Sequence, residues 1–135
     1  MDAPHDIGAL RARLAARGDL ALAVVFGSVA RGEARPESDL DVAIQPAAQF
    51  SAVDEARLVE ALARATGREV DLVRLDRVED VVLRREIARG LPIREAVPGD
   101  FARFSADAML AWLDLAPAYL DAQARYLAHV AAGGR

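Results

Sequence analysis

The chain has 135 residues, 53% of them apolar, with 17 basic against 21 acidic side chains and a net charge of −4. That is the size of one compact domain with a real core, here 1–135, well outside the disordered range. With no Cys and every basic residue an Arg, it excludes disulfides, thiol nucleophiles, thiolate zinc sites and any chemistry that needs a Lys, such as a P-loop or a Schiff base.

The first predicted element is a helix over Asp6–Arg17, with Ile7, Leu10 and Leu14 on one face and Gly18 as its stop. The apolar run Ala21–Phe26 reads as a buried strand. Gly27 to Ser38, with two Gly, a Pro and several charges, is loop with at most a helical turn. Leu40, Val42 and Ile44 alternate with Asp39, Asp41 and Ala43 in a second strand that Pro46 ends. Ser51 and Asp54 cap a helix that exits at Gly67, with Leu58, Val59 and Leu62 inward. A strand over Glu69–Leu75, a helix over Glu79–Arg89 and an edge strand over Leu91–Glu95, confined to the edge by Pro92, follow. Beyond Pro98-Gly99, residues 100–132 form one helical segment appended to the 1–99 core. The order is that of an α/β fold: a small sheet flanked by helices, with a C-terminal helical tail.

No apolar run approaches the roughly 20 residues of a membrane span, and a start carrying Asp2, His5 and Asp6 does not resemble a secretion signal. A cytoplasmic protein fits these features and the lack of Cys. The acidic balance argues against direct nucleic-acid binding through phosphate contacts. His5 and His129 read as surface residues.

Chemistry concentrates around Gly27-Ser28-Val29-Ala30-Arg31-Gly32. The two glycines have P-loop spacing, but Glu33-Ala34 stand where that motif needs Lys and a hydroxyl. Gly27 still follows a buried strand, where bare N–H groups meet phosphate. Asp39 and Asp41 point to one side of a strand, since residues i and i+2 do. Carboxylates that close repel unless protonated or bridged, and a hard cation such as Mg²⁺ bridges them. Asp71, with apolar neighbours Val70 and Leu72, is costly to bury alone. Beside the pair it would complete a site for two metal ions, with Asp76 and Glu69 as its rivals.

Gly27-Ser28, ten residues, then Asp39-x-Asp41 resembles the Gly-Ser-x10-Asp-x-Asp signature of the DNA polymerase β-like nucleotidyltransferases. The form Gly-Ser-x-Ala-Arg-Gly…Ser-Asp-Leu-Asp is similar to the minimal nucleotidyltransferase (MNT) branch, paired with HEPN ribonuclease toxins. The resemblance implies a minimal polymerase β-like core. It implies Gly27 and Ser28 on the phosphates of ATP, with Arg31 on phosphate or bracing the loop. Asp39 and Asp41 would hold Mg²⁺, and Asp71 would serve as metal ligand or base. The implied activity is AMP transfer to a tyrosine hydroxyl of a HEPN toxin, with the chain as antitoxin. Two alternatives stay open: a small-molecule nucleotidyltransferase, and an antitoxin that works by binding alone.

In the tail, Asp100, Asp107, Asp114 and Asp121 recur every seven residues, as do Trp112, Tyr119 and Tyr126, and Leu113, Leu120 and Leu127. The spacing survives Pro117 and predicts a kinked helix whose stripe is either core or interface. The expectation is Leu113 and Leu120 inward with the tyrosines more available; self-association is left open.

Overall fold

The computed structural model describes residues 3–134, with side-chain surroundings from Asp6 onward; Asp2 and the side chain of His5 lie outside that description. The elements run α1 (Ala3–Leu14), β1 (Leu20–Phe26), α2 (Gly27–Arg31), β2 (Leu40–Pro46), α3 (Ala52–Thr66), β3 (Val70–Arg74), α4 (Val81–Ala88), β4 (Leu91–Glu95) and α5 (Asp100–Ala131). The predicted elements are all present. α1 sits three residues earlier than expected, because tight turns through Arg17 carry the chain into β1 before Gly18 can act as a stop.

Local chemistry accounts for the ends. Ser51 and Asp54 form a reciprocal capping box on α3, and Gly67 closes it in the left-handed conformation at φ 70°. Gly32 closes α2 the same way at φ 73°. Asp80 caps α4 through the N–H groups of Val82 and Leu83.

The strands form one mixed sheet in the order β3-β2-β1-β4. β1 is antiparallel to β2 and to β4, and β2 is parallel to β3. β4 lies at an edge, where Pro92 leaves no inner ladder position without a donor. Alternation sends Val25, Leu40, Val42 and Ile44 to one face, against Leu10 and Leu14 of α1, Val29 of α2, and Leu58 and Leu62 of α3. Val24, Phe26 and Ala43 go to the other face, against Ile87 of α4 and Phe101 and Phe104 of α5. Each fully buried Leu contributes about 1.5–3 kcal/mol relative to an exposed one.

α5 is a single helix of 32 residues, about 48 Å long, running through Pro117. Its first turns pack on α4. The Arg84 guanidinium lies 4.9 Å from the Phe104 ring centroid and that of Arg85 4.6 Å from Trp112. Past Trp112 the helix is uncovered. Leu113 and Leu120 are 63% and 52% exposed, against 37% for Tyr119 and 66% for Tyr126. The expected inward leucines are therefore outward. The heptad spacing is real, but Trp112 is the last side chain of the stripe to meet α4, stacking edge-on with Tyr119 at 5.4 Å.

Candidate active site

One end of the sheet collects the polar residues of interest. β1 finishes there, and β2 and β3 begin there, because β2 is antiparallel to the first and parallel to the second. At that end Phe26 pairs with Asp41, and Asp41 pairs with Asp71. Gly27 follows at φ +74°, and a Cβ on it would sit 2.3 Å from Oδ2 of Asp41. Both the conformation and the contact require glycine here. Gly27 and Ser28 open α2, in the first turn, where backbone N–H groups have no partner within the helix.

Asp39 is exposed and immediately precedes β2, while Leu40 and Val42 are fully buried. Asp41 is half-buried on the α4–α5 face, and Asp71 is its neighbour on β3. Asp71 is exposed between Val70 and Leu72, so the cost of burying a lone carboxylate does not arise. β3 is an edge strand, so an Asp near its start reaches water. Burial pushes the Asp41 carboxyl above the usual carboxylate range, the charges of Asp71 and Asp39 push it further, and Arg31 opposes them. Among the described residues no three acidic or imidazole side chains are gathered into a ready-made metal cage. The two rivals of Asp71 are placed differently. Asp76 is held by Arg74 at 2.7 and 2.9 Å, which keeps its carboxyl below the ordinary range. Glu69 is exposed just before β3, and its backbone carbonyl accepts from the Leu40 N–H.

Beside Gly27 a cleft of about 280 Å³ is lined by Gly27, Ala30, Arg31, Glu86 and Arg89. Arg31 donates to Glu33 at 3.1 Å and lies 3.8 Å from Glu86. Ser38 hydrogen-bonds locally, accepting from the Arg35 N–H. The structure thus brings Gly27, Ser28, Arg31, Asp39, Asp41 and Asp71 to one end of the sheet. The sequence reading missed Glu86 and Arg89 in the cleft, whose placement depends on how α4 docks. It also missed the buried pair Asp6–Arg68 behind the Asp39 loop. A signal for Asp6 existed: it precedes Leu10 and Leu14 at four-residue steps, and all three are fully buried.

Residues 9–96, from α1 to the end of β4, match the domain family described as Polymerase beta, Nucleotidyltransferase. The chain belongs to that family. It is a nucleotidyltransferase, and α5 lies outside the matched region. A solved structure described as a minimal nucleotidyltransferase is 35% identical over 67% of this chain and 94% of its own, with a TM-score of 0.55. A chain of a toxin–antitoxin structure with AMP-PNP is 23% identical over 94% of this chain and 99% of its own, at a TM-score of 0.67. A chain of the tri-AMPylated Shewanella oneidensis HEPN toxin in complex with MNT antitoxin is 19% identical over 90% and 98%, at 0.66. No curated protein sequence matches the nucleotidyltransferase. None of its described helices is long and apolar enough to cross a membrane.

Proposed function

We propose that this nucleotidyltransferase transfers AMP from ATP to a tyrosine hydroxyl of a cognate HEPN toxin and acts as its antitoxin. The observation that carries the reading is the convergence of Asp39, Asp41 and Asp71 beside Gly27-Ser28 at one sheet end. The toxin–antitoxin structures with AMP-PNP and with AMPylated HEPN toxin share its fold and supply the acceptor class.

The donor set suits Mg²⁺: hard oxygens with a carboxyl of raised pKa among them and a glycine leaving room at its side. When bound, Mg²⁺ supplies charge neutralisation at the phosphates and activation of the acceptor hydroxyl. Asp39 and Asp41 would hold it, and Asp71 would join them if a second ion binds. The N–H groups of Gly27 and Ser28 donate to the polyphosphate oxygens, and Arg31 adds a cation from the cleft. The acceptor oxygen forms a bond to the α-phosphorus as the bond to the β-phosphate breaks. Pyrophosphate leaves, and the hydroxyl proton passes to Asp71 or to water.

The test combines the protein with its cognate toxin, ATP and Mg²⁺, followed by intact mass and peptide mapping. The expected result is AMP on a toxin tyrosine. ATP should bind more tightly with Mg²⁺ than with EDTA, and Asp39→Asn with Asp41→Asn should abolish the difference. An unmodified toxin, or equal ATP affinity in all four conditions, refutes the reading.

A further inference from the structure

Asp39 lies outside any strand, yet both of its neighbours in the chain are held. The Ser38 carbonyl accepts from Nη1 of Arg68 at 2.9 Å, and the Leu40 N–H donates to the Glu69 carbonyl at 2.8 Å. Arg68 Nη1 also donates to the Arg35 carbonyl at 2.6 Å, so one nitrogen ties both ends of the 35–38 turn. That turn is closed in addition by the Ser38 N–H on the Arg35 carbonyl. Nε of Arg68 donates to Oδ2 of Asp6 on α1 at 2.9 Å, and the two side chains are 3% and 0% exposed.

A guanidinium has a planar fork of five N–H donors, which suits it to grip a carboxylate and two carbonyls at once. Arg68 is anchored from below by Asp6 and grips the loop above. Asp71 follows only three residues later, so the same short segment sets the position of the third carboxylate. We infer that Arg68, seated on Asp6, is a positioning residue that fixes Asp39 for cation binding. This rests on the proposed reading of Asp39 as a metal ligand. A plain structural staple between α1 and the start of β3 would not need the two carbonyl contacts. Residues that orient metal ligands without touching the ion change metal affinity when altered.

The test compares wild type, Arg68→Lys, and the double variant Asp6→Leu with Arg68→Met. Replacing both members of a buried ion pair by apolar residues leaves stability near its starting value, whereas removing one strands a buried charge. The double variant should melt near wild type but bind Mn²⁺, read by electron paramagnetic resonance, about ten-fold or more weaker. Amide exchange at Ser38 and Leu40 should accelerate in parallel. Arg68→Lys keeps the charge opposite Asp6 without the fork and should fall between. Wild-type exchange at both amides in the folded variants overturns the inference; if the double variant does not fold, Arg68→Lys decides it on the same measurement. If Asp39→Asn binds Mn²⁺ as well as wild type does, the metal reading fails instead, and amide exchange still decides whether Arg68 positions the loop.

Discussion

The site holds like charges together in the absence of a cation, so neutralising one of them should stabilise the fold. Asp41 is the residue of choice, because its carboxyl is raised by burial and by both acidic neighbours. Asp71 is its ladder partner on the adjacent strand. Strands lie about 4.8 Å apart, where two like charges cost close to 1 kcal/mol even at the dielectric of water. Asp41→Asn should therefore raise stability at pH 7 without divalent cations by about 1 kcal/mol, or about 3–5 °C in melting temperature for a chain of this length. A carboxyl raised in the folded state binds its proton more tightly there than in the unfolded chain. Wild type thus loses stability as pH climbs from the ordinary Asp value of 3.8 through the raised one, and Asp41→Asn does not. The difference should vanish below the ordinary value and be complete above the raised one. Saturating Mg²⁺ should reverse the order, since only wild type gains from binding. Thermal melts across pH, with and without Mg²⁺, read all of this. A variant melting at or below wild type at pH 7 in EDTA would refute the repulsion argument.

Three further outcomes are expected. Gly27→Ala meets both a positive φ and the Asp41 carboxylate, so it should cost about 1–3 kcal/mol in chemical denaturation and weaken ATP binding; wild-type values for both would mean that the turn relaxes freely. Asp71→Asn should fold normally, since the side chain is exposed, and cut AMP transfer by about 10²–10⁴-fold if the carboxylate acts as base; unchanged turnover would leave it a mere strand residue. Tyr119→Ala with Tyr126→Ala should leave melting temperature and ATP affinity near wild type, because both lie on the uncovered part of α5, while weakening toxin binding in a pull-down titration; a loss of about 2–5 kcal/mol in stability would instead place them in a core.

What sequence alone determined here is local. Period-two alternation marked β2, Ser51, Asp54 and Gly67 marked the ends of α3, and Pro92 marked β4 as an edge, each through forces acting within a few residues. The Gly-Ser and Asp-x-Asp spacing was legible for the same reason: a strand end, a short turn and a strand start place those groups over a short stretch of chain. Distant pairings were not legible. The insertion of β4 beside β1, the exposure of Asp71 and the arrival of Glu86 and Arg89 at the cleft depend on which elements meet. The heptads of α5 run unchanged past Trp112 whether or not a neighbour covers them, and only the length of α4 decides where cover ends. Arg68 and Asp6 are 62 residues apart, and nothing near either one in the chain names the other. Burial beneath the 35–38 loop is what joins them, and burial is a property of the folded whole.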